Sequence, residues 1–117
     1  MTKILNEYEL FDIVENNSSY YLIPENCVID VDLQHHRLFN DLYGFTNGDS
    51  LIDNIQNKLI EYCDENNSLL ARASDEDFIL LTRYDEEKIK QLHSDLAKEV
   101  EKLSSIEGFS PAFGIAL

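Results

Sequence analysis

An α+β domain, in which helices pack on a central antiparallel sheet, is what this sequence predicts. Three observations carry that reading. Two short apolar runs, Leu69-Leu70-Ala71 and Phe78-Ile79-Leu80-Leu81, flank the compact acidic break Arg72-Ala73-Ser74-Asp75-Glu76-Asp77, the pattern of a β-hairpin with carboxylates at its tip. Cys27-Val28-Ile29-Asp30-Val31-Asp32 is β-branched and ends in acids, as a buried central strand does when its C-terminal end projects a carboxylate. Ile89, Leu92, Leu96, Val100 and Leu103 form a regular helical stripe.

Taken in order, Leu5, Tyr8, Leu10, Phe11 and Val14 recur at helical spacing until Asn16-Asn17-Ser18-Ser19 stops them. Tyr20-Tyr21-Leu22-Ile23 is β-rich but cut off by Pro24, and reads as a short edge strand or a packed loop. After the strand ending at Asp32, a short helix is predicted from His36 to Tyr43, closed by Gly44. Gly48-Asp49 opens a longer one, with Asp49 as its cap and Leu51, Ile52, Ile55, Leu59, Tyr62 and Cys63 as its apolar face. Beyond the hairpin, Asp85, Glu86 and Glu87 suit the positive end of the last helix dipole, and Gly108 and Pro111 precede a final strand from Ala112 to Leu117. The core of this order, β-α-β-β-α-β with two helices in the first crossover, is the ferredoxin-like arrangement.

Composition narrows the function. With 117 residues, the chain forms one domain with one core. A net charge of −14, from 23 acids against 9 dispersed bases, disfavours nucleic acid and anionic membrane as partners. No apolar run approaches the roughly 20 residues of a membrane helix, and the N-terminus lacks a basic flank followed by an apolar core, so no secretory signal is expected and the expected location is cytoplasmic. Cys27 and Cys63 lack metal-ligand spacing and read as buried thiols. The adjacent His35 and His36 point about 100° apart on a helix and make a poor metal pair; His93 reads as a boundary residue. Arg72 suits a contact to phosphate or a salt bridge with a turn acid.

In a ferredoxin-like sheet the end of the first strand and the hairpin tip lie side by side, so Asp32 and the acids Asp75, Glu76 and Asp77 are expected to converge. Two hard carboxylates and a backbone carbonyl suit Mg²⁺, with nucleotide phosphates supplying further ligands; a solvated acidic turn is the plainer alternative.

The segment from Asp32-Leu33-Gln34-His35-His36-Arg37 through Asn40-Asp41-Leu42-Tyr43-Gly44 to Gly48-Asp49 resembles the DxDxFKxxNDxxGHxxGD stretch of GGDEF domains, the diguanylate cyclases. Arg72-Ala73-Ser74-Asp75-Glu76-Asp77-Phe78 falls where that family has RxGGDEF, and Phe113-Gly114-Ile115-Ala116 is similar to its SxGxA strand. The resemblance implies a nucleotidyl-cyclase-like fold and a place in cyclic di-GMP signalling, where such domains condense two GTP molecules. It further implies Asp32, the Leu33 carbonyl and Glu76 as Mg²⁺ ligands, Asn40 and Asp49 on the guanine edge, and Arg37 in place of a phosphate-contacting lysine.

Departures concentrate at the catalytic turn. Ser74 and Asp75 replace the two glycines that let backbone approach phosphate without a Cβ, adding bulk and negative charge. Gln34, His36 and Phe45 replace a second Asp, a Phe and a His, and the RxxD product-inhibition site reads Glu65-Asn66-Asn67-Ser68. The front DxLTGLxNRR segment is absent, and the final strand stops at Leu117 before the family's Lys- and Arg-bearing helix. The expectation is a single degenerate domain over residues 1–117, a fragment of a longer chain or a shortened domain, catalytically inactive and regulatory or dimer-forming, with a vestigial Glu76. Alternatives are a GTP-binding sensor and a weakly active cyclase. The implied partners are GTP, a second copy, and an adjacent sensor or EAL domain, with Mg²⁺ the only cofactor and only alongside nucleotide.

Overall fold

The computed structural model describes residues 1–32, 45–74, 77–103 and 112–116. Its elements are β1 (Ile4–Leu5), α1 (Glu7–Asn16), α2 (Ser18–Tyr21), β2 (Asn26–Asp32), α3 (Phe45–Asn66), β3 (Leu69–Ser74), β4 (Asp77–Arg83), α4 (Glu86–Leu103) and β5 (Ala112–Ala116). The helix predicted from His36 to Tyr43 lies outside the described residues.

The strands form one five-stranded sheet in the order β1-β3-β4-β2-β5. β4 pairs antiparallel with β3 and β2, and β2 pairs antiparallel with β5, so the four predicted strands take the expected antiparallel arrangement. β1 adds a parallel edge strand, with Ile4 opposite Leu70 and Leu5 opposite Ala71. Two residues are too few for any periodicity to announce a strand.

Side chains alternate across a strand, and one face of this sheet takes the core. Cys27, Ile29 and Val31 of β2, Leu70 of β3, and Phe78 and Leu80 of β4 pack against Ile52, Ile55, Leu59, Tyr62 and Cys63 of α3 and Ile89, Leu92 and Leu96 of α4. These are the residues whose spacing predicted the two long helices and the buried strand. On the other face, β2 turns out Val28, Asp30 and Asp32.

Several local expectations change. Of the segment Tyr20-Tyr21-Leu22-Ile23, no residue is in a strand: Tyr20 and Tyr21 close one helical turn, with Tyr20 N–H to Asn17 O at 2.9 Å and Leu22 N–H to Ser18 O at 2.8 Å, and Leu22-Ile23 lie outside helix and strand. Tyr8 and Phe11, read as part of an apolar face, are 83% and 65% exposed, because α1 buries no residue fully. Asp49 is not a cap: α3 begins at Phe45 and carries Gly48 inside, where glycine costs roughly 0.5–1 kcal/mol against alanine. At its other end, Asn67 takes the left-handed conformation (φ 52°) common just past a helix, and the buried Ser68 hydroxyl donates to Thr82 Oγ1 at 2.6 Å.

α1 starts with a reciprocal cap. Asn6 Oδ1 accepts from the Glu9 amide at 2.8 Å while Glu9 Oε1 accepts from the Asn6 amide at 3.1 Å. That hydrogen bond from the Asn6 amide, reinforced by Lys3, holds the Glu9 carboxyl below its ordinary value. Asn6→Ala is expected to cost about 1 kcal/mol in urea unfolding, and Asn6→Asp much less, since the aspartate still accepts from Glu9 N–H.

Candidate functional site

Two adjacent strands, β2 and β4, bring the acidic residues together beside the end of β3. The register sets Asp32, at the end of β2, directly opposite Asp77, at the start of β4, and Asp77 in turn opposite Ser74, the last residue of β3. Directly opposite side chains have Cβ atoms about 4.5–5.5 Å apart, so Asp32 and Asp77 converge as the sequence predicts. The break itself is narrower than expected: Arg72, Ala73, Ser74, Asp77 and Phe78 all belong to strands. A register shift between Arg72 and Ser74 places an extra residue on β3, a bulge of the kind that re-aims side chains beside functional sites.

Alternation puts Asp30 on the same face as Asp32 and Asp77. Sequence reasoning passed over Asp30, although its spacing of two from Asp32 within a strand was the available signal. Glu7, at the start of α1, also bears on Asp77, and no sequence pattern points to it. Burial first, then the neighbouring Asp30 carboxyl, push the Asp77 carboxyl up to about 7. Two ionised carboxylates have no proton to share, and Asp77 Oδ1 is buried with no hydrogen-bond partner among the described residues.

This has a consequence for stability. The Asp77 carboxyl is raised from 3.8 to about 7, so between those values the folded state holds a proton that the unfolded chain releases. Its stabilising contribution is complete below the lower value and is lost as pH rises through the upper one. Asp77→Asn is therefore expected to stabilise the fold near pH 8 while changing little near pH 4, as read from urea midpoints. An equal effect at both pH values would show that the charge on Asp77 is not what matters.

Arg72 lies on the core-facing side. Its Nε donates to the Ser74 carbonyl and its Nη1 to Gln56 Oε1 of α3, each at 3.2 Å, and its guanidinium lies 5.4 Å from the centre of the Phe78 ring. Cys27 and Cys63 are buried free thiols as predicted, burial pushing Cys27 up and Cys63 to about 12, which leaves them unreactive. His93 is exposed on α4. A groove of about 270 Å³ between α3 and α4 includes Glu65, Asn66 and Lys88, and one of about 510 Å³ includes Tyr20, Tyr21, Asn67 and Arg83. Neither contains the acidic row.

Residues 1–115 match the family described as diguanylate cyclase, GGDEF domain. The chain belongs to that family. The GGDEF chain is also 31% identical over 116 residues to the probable diguanylate cyclase DgcT of Escherichia coli strain K12, covering 98% of itself but only a quarter (25%) of that relative's length. Its fold is that of solved GGDEF structures. The coiled coil and GGDEF domain of DgcB from Caulobacter crescentus, in complex with c-di-GMP, superposes with a TM-score of 0.68 at 18% identity, over 97% of this chain and 65% of that one. The S helix-GGDEF-EAL segment of LapD from Vibrio cholerae, bound to c-di-GMP, gives 0.64 at 15% identity, over 96% of this chain and 26% of that one.

Within the GGDEF domain, the signature positions Ser74, Asp77 and Phe78 sit at the hairpin's end, and Asp32 sits beside them. Asp49 lies in the first turns of α3. Leu33, Arg37, Asn40, Asp75 and Glu76, along with His35 and His36, fall outside the described residues. Among the described residues, no group of three or more His, Cys, Asp or Glu side chains is arranged to hold a metal ion. The buried Asp77 oxygen that lacks a donor lies beside the Asp30 and Asp32 carboxyls, hard oxygen atoms short of positive charge.

Proposed function

We propose that this GGDEF domain acts in cyclic di-GMP signalling as a regulatory or dimerisation module that has lost cyclase activity. The observation that carries the reading is Ser74-Asp75 at the hairpin tip, where the family has two glycines. A Cβ and a carboxylate there oppose a polyphosphate lying along the backbone. The electrostatics of the row support the same reading: Asp30, Asp32 and Asp77 already crowd one edge of the sheet, which disfavours a polyphosphate there.

In this reading Asp32, the Leu33 carbonyl and a vestigial Glu76 would hold Mg²⁺, which when bound supplies positive charge against phosphate. Asn40 and Asp49 recognise the guanine edge by hydrogen bonding, and Arg37 offers its guanidinium to phosphate. Retention of Asn40 and Asp49 beside the lost glycines favours a second reading, a sensor that binds GTP without converting it. Among the described residues no helix is long and apolar enough to cross a membrane. A cytoplasmic location, a homodimer and a neighbouring sensor or EAL domain complete the proposal, as does a single GGDEF unit within a longer polypeptide.

The deciding experiment incubates the purified full-length protein with GTP and Mg²⁺ and looks for cyclic di-GMP. None is expected. Clear turnover, abolished by Glu76→Ala, would establish an active cyclase instead. Calorimetry then separates the two inactive readings, since heat on adding GTP selects the sensor and no heat at about millimolar nucleotide selects the interaction module.

A further inference from the structure

Arg72 connects three elements of the domain: the end of its own strand β3, through the Ser74 carbonyl beyond the bulge, the Phe78 ring on β4, and Gln56 on α3. The register shift interrupts the β3–β4 ladder between Arg72 and Ser74, and the guanidinium supplies a donor to a carbonyl just past that interruption. Phe78 is fully buried, so the guanidinium rests on a fixed platform; both Arg72 and Gln56 are half-buried, which shields their contact from competing water. We propose that Arg72, braced by Gln56, is a positioning residue that holds the outgoing end of β3, and with it the start of the signature stretch, at a set distance from α3, the helix that carries Asp49.

Its functional consequence rests on the nucleotide reading above, because Asp49 and the signature stretch would meet opposite ends of one nucleotide. The brace itself does not. Only a planar guanidinium has the rigid fork needed to reach a carbonyl and an amide oxygen at once while stacking on a ring, so a lysine at this position keeps the charge and loses the geometry.

The test is amide exchange on the full-length protein without nucleotide, comparing Arg72→Lys, Gln56→Leu and Gln56→Glu with wild type. Arg72→Lys and Gln56→Leu are expected to speed exchange across residues 74–78 by roughly tenfold while leaving α4 and the unfolding midpoint near wild type. Gln56→Glu retains an acceptor for the guanidinium and is expected to stay within about twofold of wild type. Unchanged exchange in Arg72→Lys and Gln56→Leu, or a Gln56→Glu that behaves like Gln56→Leu, would overturn the proposal. If Arg72→Lys fails to fold, the two Gln56 variants decide alone. A wild-type protein that gives no heat with GTP and Mg²⁺ removes the nucleotide reading, and the exchange pattern still judges the brace.

Discussion

Replacing Phe78 with alanine is expected to destabilise the domain by about 3–5 kcal/mol, the largest effect of any single change at the signature stretch. The ring is completely buried and is the largest of the fully buried side chains among the described residues. It stands opposite Val31 on β2 and Arg72 on β3, the two strands flanking β4. Removing it leaves a cavity where the sheet meets α3 and withdraws the surface under the Arg72 guanidinium. Urea unfolding monitored by circular dichroism measures the loss. Phe78→Leu, which refills much of the volume, is expected to recover more than half of it. A Phe78→Ala loss below about 1 kcal/mol would mean the core closes around the gap and the ring is dispensable. The last residue of the signature therefore serves the fold, anchoring β4 in the core.

Restoring the glycines should have the largest functional effect. With Ser74→Gly and Asp75→Gly combined, affinity for Mg²⁺-GTP is expected to rise by up to a thousandfold. The estimate follows from a like-charge pair at about 4 Å and an effective dielectric near 20, worth on the order of 4 kcal/mol, with Mg²⁺ offsetting part of it. Calorimetric titration of wild type, the two single variants and the double variant measures it. Asp75→Gly is expected to contribute more than Ser74→Gly, since it removes a charge as well as bulk. A double variant that binds GTP no better than wild type would place the defect elsewhere, in Gln34, His36 or the other departures from the family pattern.

What was legible in the chain follows from the range over which each signal acts. The stripes of Ile52, Ile55 and Leu59, and of Ile89, Leu92 and Leu96, are patterns within one helix, and the alternation of Cys27, Ile29 and Val31 lies within one strand. The meeting of Asp32 with Asp77 was also legible, because the order of strands restricts which strand ends can be neighbours. Tyr20-Tyr21 ended up in a helical turn rather than an edge strand or loop because a single turn satisfies its backbone locally whatever its β propensity. The start of α3 was misread because Gly48-Asp49 looks like a helix opening, while a helix 22 residues long absorbs one unfavourable glycine.

Periodicity and composition alone therefore settled the class of fold, the core-facing residues of the two long helices and β2, and the acidic character of the hairpin end, since each depends on residues within a few positions of one another. Three-dimensional packing settled the parallel seat of Ile4 and Leu5 beside β3, the approach of Asp30 and Glu7 to Asp77, and the link from Arg72 to Gln56. These join residues far apart along the chain, and their energies arise only when burial lowers the local dielectric and the strands and helices bring those side chains together.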